Sequence, residues 1–163
     1  MASRINHSDD SKSLHKGNRL IDEWGNSLSL KGNSLNKAKL QFAKIESGKK
    51  NLKGRSVESI VAAIIYVVTR QDNIPIKPHD IESATHVDIK EIKSAYKAIK
   101  EYVEHIPPLD APRYCQNFCN KLKLPNDVSK AAFEIASNIK EKRYLDSKNP
   151  RTAAAVAIYM ATQ

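Results

Sequence analysis

Apolar residues recur at the three-to-four-residue spacing of α-helices along most of the chain, and no segment shows the strict alternation of a half-buried strand. The spacing predicts a first helix over 14–28, with Leu14, Ile21, Trp24 and Leu28 on one face. A second helix follows the interruption "LKGNS" and turns Leu35, Ala38, Phe42 and Ile45 inward, lysines outward. The Gly- and Lys-rich stretch "SGKKNLKGRS" reads as a loop. A third helix starts near Ser56, a fitting N-cap, with Glu58 in the first turn where the helix dipole favours an acid. From Ile60 to Val68 this helix is apolar around nearly its whole circumference, so other helices must enclose it. "DNIP" ends it. A short helix over 78–85, with Pro78 in its first turn, leads through "HV" to Asp88 and Glu91, the Asp-x-x-Glu signature of a helix start. The helix they open is expected to reach about Ile106, with Ile92, Ala95, Tyr96, Ile99 and Val103 on its apolar face. Short helix, tight turn and longer helix together make a helix-turn-helix arrangement.

"IPPLDAP" reads as a linker, and a further helix then places Ala111, Cys115, Phe118, Cys119 and Leu122 inward. "KLPND" breaks it before a helix carrying Val128, Ala131, Ala132, Ile135 and Ile139. The last helix has Asn149 as N-cap and Pro150 at its first position. Displaced by 93 positions, the chain matches itself: Ala38 falls on Ala131, Ala43 on Ala136, Lys49 on Lys142, Leu52 on Leu145 and Arg55 on Lys148. Ala62, Ile65, Tyr66 and Thr69 fall on Ala155, Ile158, Tyr159 and Thr162. The expected architecture is all-α: a five-helix unit built around its third helix, then the first three helices of a second, truncated unit. Residues 1–13 are polar and patternless and are expected to form a mobile arm, with the first unit over 14–106, the linker over 107–112 and the second unit over 113–163.

Charge narrows the function classes. Twenty-seven Lys and Arg against 18 Asp and Glu give +9 at neutral pH, which favours an anionic partner or else describes a merely basic surface. The longest apolar run is too short to cross a bilayer, and no secretory signal opens the chain, so no membrane role is expected. Cys115 and Cys119 share a helix face, but no second Cys or His pair stands at zinc spacing; they are read as packed free thiols. His79 and His86 lack partners at ligand or triad spacing and read as surface or capping residues. Paired carboxylates, a nucleophile elbow and a phosphate-cradling glycine loop are all missing from the sequence, so neither catalysis nor a cofactor is expected.

Two stretches, "LKGRSVESIVAAIIYVVTRQDNIPIKPHDI" and "FCNKLKLPNDVSKAAFEIA" with its sequel "NPRTAAAVAIYMATQ", resemble the core of transcription factor IIB, over about Leu14 to Gln163. The resemblance implies two cyclin-like repeats and a monomer that performs no chemistry. It would act in the nucleus, binding TATA-box-binding protein and promoter DNA and helping to place RNA polymerase II. It also exposes gaps: four zinc-ribbon ligands cannot be found upstream, and the second helix-turn-helix is cut off. Polymerase recruitment and upstream sequence reading would lack the parts that carry them in the family.

Eight basic residues and one acid, Glu46, lie between Lys31 and Arg55, and Gly48 and Gly54 let that backbone approach phosphates closely. By resemblance, Lys53, Gly54, Arg55 and Ser56 match the family's loop that touches DNA in the minor groove downstream of the TATA element. Lys148 and Arg151 stand in the equivalent loop of the second unit, although "SKNPRT" departs from the family's usual "GRSP" form. On the long helix, Lys90, Lys93, Lys97 and Lys100 fall within a stripe about 80° wide at 100° per residue, opposite the apolar face. The stripe is an ordinary wet face on pattern alone, and the resemblance makes it a contact for TATA-box-binding protein. Three alternatives share the architecture: a cyclin-like regulator docking on a kinase, an inhibitory short paralogue, and a polymerase III type factor.

Overall fold

The computed structural model describes residues 5–48, 52 and 54–163, with side chains from residue 9 onward. Among the described residues there are eight helices and no strand: α1 (Ile5–Ser27), α2 (Gly32–Ser47), α3 (Val57–Gln71), α4 (Pro78–Thr85), α5 (Ile89–Ile99), α6 (Ala111–Lys121), α7 (Asn126–Glu141) and α8 (Pro150–Ala161). They form two compact units, residues 1–106 and 107–163.

In the first unit α3 is the axis. The hydroxyl of Ser56 accepts the Ser59 N–H at 3.1 Å and starts the helix as its N-cap. From there Ile60, Val61, Ala62, Ala63, Ile64, Ile65, Val67 and Val68 are all buried, because α1, α2, α4 and α5 pack around the helix. Each large aliphatic side chain removed from water contributes about 1.5–3 kcal/mol, so this one helix supplies much of the driving force for the unit. Ile21 and Trp24 from α1, Ala38, Phe42 and Ile45 from α2, and Ile92, Ala95 and Ile99 from α5 complete the core. Tyr66, half-buried on α3, sets its ring edge-on to Tyr96 at 5.5 Å.

Two boundaries differ from the sequence pattern. α1 begins at Ile5, so residues 5–13, expected as an arm, are helical; Asp9 to Lys12 are exposed polar residues and leave no apolar stripe to read. α5 ends at Ile99 rather than near Ile106, and turns follow it. That tail is held by Gln71, whose side-chain amide accepts from Gln41 at 2.8 Å and donates to the Glu104 carbonyl at 3.1 Å.

The second unit repeats the first with smaller residues. The Leu30 N–H bonds to the Gly25 carbonyl at 2.8 Å over Ser29, whose φ is +57°; the Leu124 N–H bonds to the Cys119 carbonyl at 3.0 Å over Lys123, whose φ is +52°. These identical helix ends lie 94 positions apart, as do the last residues of α2 and α7, Ser47 and Glu141, whereas α3 and α8 start 93 apart, at Val57 and Pro150. The single offset of 93 expected from the sequence therefore holds only from the loop onward, and the loop before α8 is one residue shorter than the loop before α3. At an offset of 94, Ala38 and Phe42 correspond to Ala132 and Ala136, and all four are fully buried. Leu122, expected inside, is 63 % exposed: the chain reverses at Lys123, and Leu124 packs on the core instead. The core of this unit is Ala111, Cys115, Cys119, Ala132, Ala136, Ala153, Ala154 and Ala157. Ala157 is as fully buried as Ile64, its counterpart in α3. Val156 and Met160 are exposed, while their counterparts Ala63 and Val67 are fully buried in the first unit, where α4 and α5 pack on α3.

Candidate nucleic-acid interface

The loop before α3 is anchored from inside by Leu52, which is buried. The Arg55 N–H bonds back to the Leu52 carbonyl at 3.2 Å, closing a turn in which Gly54 has a φ of +83°. A side chain at Gly54 would be strained in that left-handed conformation even though the space around it is open. Gly54, Arg55 and Ser56 are all exposed, and Lys53 lies outside the described residues. The loop delivers Arg55 to the N-terminal end of α3, where unsatisfied N–H groups and the helix dipole favour an anion.

The acid closest in sequence to this end does not oppose that field unopposed. Glu58 is paired with Lys16 of α1 at 2.5 Å. The Lys16 hydrogen bond, helped by the backbone N–H of Glu58, holds its carboxyl below the usual range against the opposite effect of burial.

A groove of about 410 Å³ opens beside the loop, lined by Gly54, Arg55, Ser56 and Ser59 on one wall and Lys90, Glu91 and Ser94 of α5 on the other. Arg55 Nη1 donates to Ser94 Oγ at 2.7 Å across it. The structure thus brings one residue of the lysine stripe, Lys90, to the loop expected to touch DNA. Lys93 and Lys97 continue the exposed face along α5, and Lys100 caps the helix end.

The stripe is presented by a well-fixed turn. Asp88 accepts the Lys90 N–H at 2.7 Å, and Glu82 of α4 accepts the Ile89 N–H at 2.9 Å. That backbone bond, followed by His79 at 3.0 Å, lowers the Glu82 pKa below its ordinary value. His86 turns the chain between the two helices with φ +57°.

In the second unit the turn recurs: the Lys148 N–H bonds to the Leu145 carbonyl at 2.9 Å, and Asn149 caps α8 by accepting from the Arg151 N–H at 2.9 Å. Lys148 and Arg151 are both exposed. The Arg151 guanidinium lies over the Tyr114 ring, 5.3 Å from its centre, which gives it an aromatic support on α6. Asp146 occupies the position equivalent to Lys53.

Sequence reasoning missed Ser94, Tyr114 and Glu82. A hydroxyl amid the lysines of α5 was the only local signal for Ser94. The other two act through contacts between helices that spacing does not encode. Among the described residues no group of three or more His, Cys, Asp or Glu could hold a metal ion, and no helix is long and apolar enough to cross a membrane.

A model of the transcription factor TFIIB repeat matches the chain twice, over residues 10–102 and 105–163. The chain belongs to the transcription factor IIB family. Its relatives include transcription initiation factor IIB of Encephalitozoon cuniculi, 34 % identical over 93 % of this chain and 48 % of the relative. The protein of that name from Drosophila melanogaster is 32 % identical over 96 % of this chain and 50 % of its own length. Transcription initiation factor IIB 1 of Thermoplasma volcanium is 37 % identical over 68 % of this chain and 36 % of its own length. The chain spans about half the length of the Encephalitozoon cuniculi and Drosophila melanogaster relatives.

Proposed function

We propose that this member of the family works as a promoter-complex scaffold in the nucleus, binding TATA-box-binding protein and promoter DNA together. The observation that carries the reading is the Arg55 groove, where a basic loop, the N-terminus of α3 and Lys90 of α5 converge. Lys53, Gly54, Arg55 and Ser56 meet phosphates and the minor groove on one side of the TATA element, and Lys148 and Arg151 meet DNA from the second unit. Lys90, Lys93, Lys97 and Lys100 face TATA-box-binding protein. RNA polymerase II is the enzyme such an assembly recruits. The protein contributes position and charge, which suits a family of transcription factors.

Salt dependence of the ternary complex tests this. With about four phosphates neutralised, log K should fall against log salt with a slope of about −3.6. Arg55→Ala should weaken the complex while leaving the melting temperature unchanged. A slope near zero, or wild-type binding by that variant, overturns the DNA role.

A further inference from the structure

We infer that Ser94 is a positioning residue for Arg55: its hydroxyl holds the guanidinium at the edge of the groove, in the pose from which it meets DNA. This rests on the DNA reading of Arg55 given above. The two residues are 39 positions apart and come from different elements, yet Arg55 Nη1 and Ser94 Oγ are 2.7 Å apart. Arg55 is exposed, on a loop, at the end of a long flexible side chain. Such a side chain has rotamer freedom to lose on binding, and a contact that restricts it beforehand reduces that loss.

The chemistry of the acceptor is what makes this positioning rather than neutralisation. A serine hydroxyl accepts from a guanidinium without cancelling its charge, and the bond uses a single N–H of the fork, leaving its bidentate potential toward a phosphate. A carboxylate in the same place would compete with phosphate for the same cation. Glu91 also lines the groove, but the guanidinium bonds the neutral hydroxyl. A lysine at 94 would repel Arg55 instead, and the lysines of the stripe stand at 90, 93 and 97, around Ser94 rather than on it. The contact also ties the loop to α5, so the groove wall that carries Lys90 and the residue that would enter DNA are set relative to each other within one unit.

The experiment measures binding of the full chain to a fluorescent TATA duplex saturated with TATA-box-binding protein, with melting followed by circular dichroism. Arg55→Ala should weaken binding about tenfold and Ser94→Ala about three- to fivefold, both with wild-type melting. Ser94→Thr, which keeps the acceptor, should bind like wild type. Ser94→Asp should bind less well than Ser94→Ala, because its carboxylate captures the guanidinium. Adding Ser94→Ala to Arg55→Ala should cost nothing more. Wild-type binding by Ser94→Ala alongside a weakened Arg55→Ala overturns the positioning role and leaves the DNA reading standing. A further several-fold loss in the double variant overturns it too, because Ser94 would then act without Arg55. If Arg55→Ala binds like wild type, the DNA reading itself fails.

Discussion

Gly17 of α1 lies against the ring of Phe42 of α2, and a Cβ built on Gly17 would stand only 2.0 Å from the ring's Cε1. Phe42 is fully buried, so the ring has nowhere to retreat. Gly17→Ala sets two effects against each other. Alanine gains about 1 kcal/mol in helix propensity over glycine, whereas overpacking a closed core costs about 1–3 kcal/mol or more. Packing should win, with net destabilisation of about 1–2 kcal/mol and a melting temperature lower by several degrees. Gly25→Ala is the control. Its Cβ would meet the terminal methyl of Leu35, a half-buried side chain that can rotate away. Thermal denaturation should therefore show Gly25→Ala as the milder of the two, and equal or reversed effects would mean that α1 and α2 can slide apart.

Asp72 ends α3 and accepts from Lys37 at 2.5 Å and Ser34 at 2.7 Å, both on α2. Burial pushes its carboxyl up, but the bonds from Lys37 and Ser34 and the Lys37 charge together outweigh it, leaving the pKa below the ordinary 3.8. A depressed carboxyl stabilises the fold above its unfolded pKa and loses that contribution as pH falls through its folded pKa. Asp72→Asn should therefore be less stable than wild type at pH 7, by no more than about 1 kcal/mol for so accessible a pair. The gap should begin to narrow near pH 3.8 and close as pH falls through the lower folded pKa. Urea titrations stepped downward from pH 7 would measure it, and a gap that does not narrow at all below pH 3.8 would assign the effect to packing rather than charge.

What the sequence revealed was chemistry that acts locally. Ser56 and Asn149 were legible as N-caps because a capping side chain bonds an N–H two or three residues ahead. The enclosure of α3 was legible because no helix with Ile, Val or Ala on every side can face water. Composition hid the start of α1, because the sequence from Asn6 to Ser13 is polar throughout and carries no apolar period. Alanine-rich self-similarity hid the one-residue step between the repeats: Ala38 matches Ala131 in letters but Ala132 in burial. Leu122 misled because helical spacing runs on past a helix end that only backbone geometry at Lys123 defines. The Arg55–Ser94 contact lay beyond any pattern, since it exists only once α5 has packed along α3.

Cys115 and Cys119, buried on one face of α6, report on the second unit. Burial, and then the neighbouring Cys119 sulfur, push the Cys115 thiol up to about 12. Since the thiolate is the reactive form, Cys115 should be nearly inert toward iodoacetamide at pH 7.5 in the folded protein. Labelling should accelerate only when α6 leaves α7 and α8, and its rate should rise with urea as the second unit opens. Mass spectrometry of the 115-containing peptide reads this directly. Rapid modification without denaturant would mean that this small alanine core opens far more readily than its burial suggests.

The lysine stripe on α5 should govern the speed of encounter more than the lifetime of the complex. Lys90, Lys93 and Lys97 are exposed on one face, and single exposed charges contribute little, about 0–1 kcal/mol. Grouped charges act at a distance and raise association rates at low salt. Replacing Lys93 and Lys97 together by Glu should slow association with immobilised TATA-box-binding protein by about tenfold at low ionic strength, with a much smaller change in dissociation. The difference should shrink toward 1 M salt, where the screening length falls to about 3 Å. Neither position belongs to the core and neither lines the Arg55 groove, so melting should not change. Surface plasmon resonance across a salt series separates the outcomes: an association rate untouched by the double charge reversal would make the stripe an ordinary hydrated face and leave the Arg55 groove as the main electrostatic contact of the first unit.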